Sequence, residues 1–207
     1  CRITIADLNA DGARDRAAEL GPEHTGAYVN VTDEDSVQRL FDGIGPLDIT
    51  VNCAGFSNVG LITEMPVEDF RSVIDVCLNG SMIVMKHAGR HLRAGGSLVS
   101  ITSLNARQPA AGMSAYCAAK AGLSMLTEVA ALEMGPRGIR VNAVAPGFVH
   151  TPLTAAAASV PRCWGGWSGA AGGTPPTWRT ASRLGSSIAL IRRSWPGWPS
   201  GRCAVRR

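Results

Sequence analysis

No apolar run in this 207-residue chain approaches the roughly 18 residues that a membrane-spanning helix requires, so a spanning helix is excluded. Cysteine is sparse in pattern rather than in number. The six at positions 1, 53, 77, 117, 163 and 203 contain no Cys-x-x-Cys pair, which argues against both a disulfide framework and a zinc site. The opening stretch Cys1–Asp7 lacks the long apolar core and small-residue cleavage site of a signal peptide, so a reduced, cytoplasmic setting is expected. Charged residues make up 17% and hydrophobic ones 45%, too apolar a balance for a chain disordered throughout. Two further absences are positional: no acid follows Glu133, and no tryptophan precedes Trp164.

Those absences divide the chain. Residues 1–161 carry 12 Lys and Arg against 16 Asp and Glu, whereas residues 162–207 carry eight Arg, no acid, all five tryptophans, eight glycines and four prolines. The second stretch shows no sustained helical or strand period. It reads like translation of a GC-rich gene in a shifted frame and is expected to lie outside the fold. An arginine arm with interleaved tryptophan for nucleic acid is the alternative, disfavoured because the aromatics are irregularly spaced.

Within 1–161, short β-rich runs alternate with helical stretches. Arg2–Asp7, Gly26–Val31, Leu47–Asn52, Ser97–Thr102 and Ile139–Val144 read as strands. Helices are expected over about 10–20, after an N-cap at Thr32, after Pro66, and over 113–134, with Gly21-Pro22 and Gly135-Pro136 as stops. Strands separated by helices of this length imply βαβ units, hence a Rossmann-like doubly wound parallel sheet in three α/β/α layers. In such sheets ligands sit at the carboxyl ends of the strands.

Chemistry-bearing residues follow the strands. Ser103 comes after the fourth; Tyr116 and Lys120 lie four apart on the long helix and so share a face. An unperturbed tyrosine, with a pKa of about 10, is a poor base near neutrality. A neighbouring cation favours the phenolate, and a serine hydroxyl can hold a carbonyl or alcohol oxygen above it.

The chain resembles the short-chain dehydrogenase/reductase family over about residues 1–155. The matching pieces are Asn52-Cys53-Ala54-Gly55, Ser100-Ile101-Thr102-Ser103, Tyr116-Cys117-Ala118-Ala119-Lys120, and Arg140 through Gly147 leading to Phe148-Val149-His150-Thr151. The resemblance implies reversible oxidation of a secondary alcohol to a ketone, with Tyr116 as acid/base, Lys120 lowering its pKa and holding the nicotinamide ribose, and Ser103 orienting the substrate oxygen. It implies that Asp7 takes the adenosine ribose hydroxyls, that Asn30 and Val31 lie beside the adenine, and that Asn52, Ala54 and Gly55 border the cofactor. Pro146, Gly147, Val149 and Thr151 would contact the nicotinamide end. A carboxylate at Asp7, with no Arg at Leu8 or Asn9, favours NAD over NADP. The pocket would be built from Leu104, Asn105, Gln108, Met113 and Phe148. A homo-oligomer, dimer or tetramer, is implied through the helices at about 67–93 and 113–134. No membrane or nucleic-acid partner is expected.

Three departures shape the expectation. No Gly-x-x-x-Gly-x-Gly turn follows any strand, so the pyrophosphate-binding βα unit is expected to be missing, along with the last strand. The family pattern is also lost after about residue 161. Cys77 stands where many members carry an Asn, and Cys53 replaces a second Asn; both read as small packing residues. An inactive remnant or non-catalytic assembly subunit is therefore the rival reading. No metal is expected: His87 and His91 read as a solvated helix face, and Met82 and Met85 as core or subunit packing.

Overall fold

The structure, a computed structural model, describes residues 1–147, 149 and 188–192. Along the chain run β1 (Arg2–Asp7), α1 (Ala10–Leu20), β2 (Thr25–Tyr28), α2 (Glu34–Ile44), β3 (Leu47–Asn52) and α3 (Val67–Ile74). A π-helical turn, Asp75–Asn79, leads into α4 (Gly80–His91), then β4 (Leu92–Ile101), a 3-10 turn (Leu104–Ala106), α5 (Ser114–Met134), β5 (Arg140–Val144) and β6 (Ile188–Arg192).

Local chemistry sets the boundaries. Asn9 caps α1 by accepting from the Gly12 amide at 3.0 Å. The cap of α2 falls on Asp33, which accepts from the Asp35 amide at 3.0 Å, one residue later than the expected Thr32. Thr32 is instead drawn back to the Asn30 carboxamide, which takes both its amide and its hydroxyl. Gly45, at φ 74°, supplies the left-handed turn that ends α2.

The sheet order is β2-β1-β6-β3-β4-β5. The pairs β1/β2, β3/β4 and β4/β5 are parallel, whereas β6 runs antiparallel to both neighbours. This mostly parallel sheet with flanking helices bears out the α/β class. For residues 188–192 the central strand corrects the expectation that 162–207 stand outside the fold; the rest of that stretch lies outside the described residues. Ile188-Ala-Leu-Ile-Arg192 opens with four apolar residues, two of them β-branched, and it enters the slot between β1 and β3. Ile188 pairs with Ala6 on one side and Asn52 on the other, and Leu190 with Thr4 and Thr50. An empty slot would leave two rows of backbone donors and acceptors unpaired in the middle of the sheet, so any compatible strand is favoured there.

Period-two alternation then fixes the core. Ala6, Ile188, Leu190, Leu98 and Val141 face one way, against Val37, Leu40 and Phe41 of α2, Val84, Met85 and Ala88 of α4, and Leu123 and Ala130 of α5. On the other side α1 packs on β1 and β2 so tightly that a Cβ on Gly26 would fall 2.3 Å from the Arg14 Cα. Two hydroxyls on the core side, Thr50 Oγ1 and Ser100 Oγ, are buried without a hydrogen-bond partner among the described residues. No described helix is long and apolar enough to cross a membrane.

Candidate active site

The carboxyl ends of β1, β3, β4 and β5 share one edge of the sheet. At the end of β3 the buried Asn52 amide donates to Ser81 Oγ at 3.0 Å, and Ser81 in turn donates to the Cys77 carbonyl at 2.8 Å. Asn52 Oδ1 accepts from the Ala54 amide at 3.3 Å. This buried chain ties β3, the π-helical turn and α4 together beneath the site. Both Asn52 and Ser81 are essentially inaccessible, so each hydrogen bond replaces water that cannot reach them.

Beside it, β4 ends and α5 begins its passage along the sheet. Thr102 donates through its amide and its hydroxyl to the Val144 carbonyl, at 2.8 and 3.0 Å, and the Leu104 amide donates to the Pro146 carbonyl at 3.0 Å. These bonds hold the loop after β5 against the loop carrying Ser103. Ser103 caps the 3-10 turn: its hydroxyl oxygen accepts from the Asn105 amide at 3.1 Å and lies 3.3 Å from Asn105 Oδ1. Tyr116, on α5, lies near enough to Ser103 for the hydroxyl to act on its phenol. One turn on, the Lys120 ammonium is buried, donates to the Ile101 carbonyl at 2.7 Å, and lies 5.5 Å from the Tyr116 ring centroid. A Cβ on Gly55 would approach Cys77 Sγ at 3.3 Å and Lys120 Nζ at 3.4 Å, so Gly55, Cys77 and Lys120 share one small space.

Burial governs the protonation of these groups. It pushes the Tyr116 phenol above its ordinary value; the Ser103 hydroxyl opposes this, and the nearby Cys77 and Cys117 add to it. It also pulls the Lys120 ammonium down, with Cys77 and Cys53 opposing. The side chain that works against burial at Tyr116 is Ser103. The Lys120 ammonium spends a hydrogen bond on the Ile101 carbonyl and keeps its charge beside the Tyr116 ring. Burial raises the Cys53 and Cys77 thiols, and Cys77 donates to the Phe56 carbonyl at 3.2 Å. That suits the packing role expected of both.

Ser103, Tyr116, Lys120 and Gly55 are thus brought together, with Ala54 and Asn52 just beneath. Pro146, Gly147 and Val149 follow β5 on the same edge. Across β6 from them, Asp7 ends β1, and its carboxylate accepts from the Asn9 amide at 2.8 Å. Asn30 spends its side-chain oxygen on Thr32, while the buried Val31 packs where a Cβ on Gly80 would come within 2.8 Å of it. Thr151 and Phe148 lie outside the described residues.

Sequence reading missed several partners. Ser81 carries no sequence signal for its role. Asn105, expected as part of the pocket, is also the hydrogen-bonding partner of Ser103. The solvated-face reading of His87 is overturned: it is 1% exposed, its ring tilted beside that of Phe41, with Glu34 at 3.4 Å from its Nε2. Glu34 also takes Lys86 at 2.6 Å, and His91 meets Asp42 at 3.1 Å, so both histidines help join α2 to α4. Of the two methionines, Met85 is in the core and Met82 is exposed. No group of three or more potential ligands for a metal occurs among the described residues.

A family model described as enoyl-(acyl carrier protein) reductase matches residues 1–171. The chain belongs to the short-chain dehydrogenase/reductase family. It is 38% identical over 160 residues to carbonyl reductase family member 4 of Danio rerio, covering 74% of this chain and 68% of that one. With cis-4-hydroxycyclohexanecarboxylate dehydrogenase of Sinomonas cyclohexanicum it shares 42% over 163 residues, 74% of this chain and 65% of the relative. A gluconate 5-dehydrogenase from Burkholderia cenocepacia, solved in complex with NADP and tartrate, superposes with a TM-score of 0.70 at 25% identity, covering 76% of this chain and 66% of that one. The chain thus spans about two thirds of the length of these relatives. Members of this family are NAD(P)-dependent oxidoreductases, and the relatives carry dehydrogenase and reductase names.

Proposed function

We propose that this site interconverts a secondary alcohol and a ketone, with NAD as the cofactor and Tyr116 as the acid/base. The observation that carries this reading is the juxtaposition of the Ser103 hydroxyl and the Tyr116 phenol, with the buried Lys120 ammonium one helical turn away. Gly55 supports the fit of a cofactor, because its missing Cβ leaves open the approach to Lys120 that any side chain would narrow.

Lys120, Tyr116, Ala54, Gly55, Pro146, Gly147, Val149 and Thr151 would hold the nicotinamide end, with Asn52 behind them. Asp7, Asn30 and Val31 would hold the adenosine end. A nicotinamide supplies the hydride acceptor for the alcohol and the hydride donor for the ketone. In oxidation, Tyr116 Oη takes the alcohol proton while Ser103 holds the same oxygen; in reduction, Tyr116 returns it. The Lys120 charge favours whichever state carries more negative charge at the phenol oxygen. A carboxylate at Asp7 repels a 2′-phosphate, which supports NAD over NADP. Leu104, Asn105, Gln108 and Met113 carry no charge, which suits an uncharged, moderately apolar substrate.

Exposed Met125, Val129 and Leu132 form an i, i+4, i+7 stripe on α5, 60%, 41% and 79% exposed. Such a stripe supports assembly as a homo-oligomer through that helix.

A second reading, a non-catalytic chain, is favoured by the direction of β6. A parallel strand in the central slot would deliver a turn and a helix N-terminus to the cofactor edge, whereas an antiparallel one presents its own amino end there. Titrating the protein with NADH and NADPH while following nicotinamide fluorescence separates the two. Saturable binding of NADH, weaker for NADPH and lost in Lys120→Met, is expected. No binding of either would leave the non-catalytic reading.

A further inference from the structure

We propose that Asn105 is a positioning residue that directs the single hydroxyl proton of Ser103. The proposal deepens the reading of Tyr116 as acid/base and takes its catalytic meaning from it, although its test needs no turnover.

Ser103 has one O–H to give and two lone pairs with which to accept. The Asn105 amide occupies one lone pair at 3.1 Å, which anchors the oxygen over the start of the 3-10 turn. Asn105 Oδ1, 3.3 Å from the same oxygen, can only accept, so the Ser103 proton points to it. The carboxamide is held that way round because its Nδ2 donates to the Gln108 carbonyl at 3.2 Å. A Tyr116 phenol bonded to Ser103 must then donate, and the proton order runs Tyr116 Oη–H to Ser103 Oγ–H to Asn105 Oδ1.

This order holds Tyr116 protonated. If the Ser103 proton rotates toward Tyr116, the same hydroxyl stabilises the phenolate instead. At 3.3 Å the bond to Oδ1 is long, so the cost of rotation is small. Asn105 thus competes with Tyr116, and with any substrate oxygen above it, for one proton. The other polar or ionisable groups facing Tyr116 are Cys77 from the π-helical turn, and Cys117 and Lys120 from its own helix. Among the described residues none of them is hydrogen-bonded to Asn105.

The chain has two tyrosines, so Tyr28→Phe leaves Tyr116 as the only phenol, and its ionisation can be followed by tyrosinate ultraviolet difference absorbance. In that background Asn105→Ala frees the Ser103 proton. The expected result is an ionisation constant for Tyr116 about twofold to fivefold larger, the upper value being the equivalent of one full neutral hydrogen bond of about 1 kcal/mol. Asn105→Ser, which keeps a polar turn residue but lacks the reach, should act in the same direction. Adding Ser103→Ala should abolish the effect of either change. An unshifted Tyr116 in variants with wild-type circular dichroism would overturn the proposal, as would an equal shift in the Ser103→Ala background. If instead the catalytic reading fails, turnover is absent while these titrations still move.

Discussion

Replacing Leu190 by Ala removes a side chain that is 1% exposed and packed at the centre of the sheet, between Thr4 on β1 and Thr50 on β3. The space it leaves is bounded by paired strands on both sides and by the helices of the core face, so the surroundings have little freedom to collapse. Leu→Ala changes in such cores cost about 2–5 kcal/mol, the higher values belonging to sites that cannot relax. We expect about 3–4 kcal/mol here, a large share of a typical domain stability of about 5–15 kcal/mol. Ile191→Ala provides the internal control. Its side chain points to the opposite face and is half-buried, so its loss should cost less than half as much. Urea unfolding followed by far-ultraviolet circular dichroism would read both midpoints. If Leu190→Ala and Ile191→Ala were equal, or if both shifted stability by less than about 0.5 kcal/mol as surface changes do, then Ile188–Arg192 would not be the central strand.

Two further outcomes follow from buried polar groups. Thr50→Val replaces an unpartnered buried hydroxyl with a methyl group of the same shape, and should stabilise the protein by up to about 1 kcal/mol in the same urea assay. Tyr116→Phe should flatten the alkaline loss of stability. The phenol is raised in the folded state, so the unfolded chain releases its proton first. The stability it contributes is complete below the ordinary tyrosine value of 10.0 and declines as pH rises through the folded value. Thermal unfolding of wild type and variant from neutral pH to above that value should therefore diverge only on the alkaline side.

The fold was largely legible because its elements announce themselves locally. The periodicities of β1, β3 and β5, the Gly21 and Gly135 stops, and the long alanine-rich α5 are all properties of contiguous residues. What sequence could not reveal was non-local. Ile188–Arg192 carries a strand-like pattern, but it is short and embedded in tryptophan, glycine and proline. Only the exposed edges of β1 and β3 select it. His87 was misread for a related reason: its burial is set by Phe41 and Glu34, which lie far away in sequence on α2.

The site divides along the same line. Spacing alone places Tyr116 and Lys120 on one helical face, because four residues is slightly more than one turn. The direction of each hydrogen bond depends on partners the spacing does not specify. Lys120 finds a strand-end carbonyl at Ile101, and Ser103 finds an amide two residues away in its own turn. Both choices follow from burial: a polar group removed from water takes the nearest partner available, which for the Lys120 ammonium is a strand-end carbonyl and for the Ser103 oxygen a turn amide that donates to it. On the proposed reading Asn105 and Tyr116 compete for the Ser103 proton, which swings between them by rotation about a single bond, whereas the Lys120 ammonium stays on the Ile101 carbonyl, so the adjustable element of this site would be the serine.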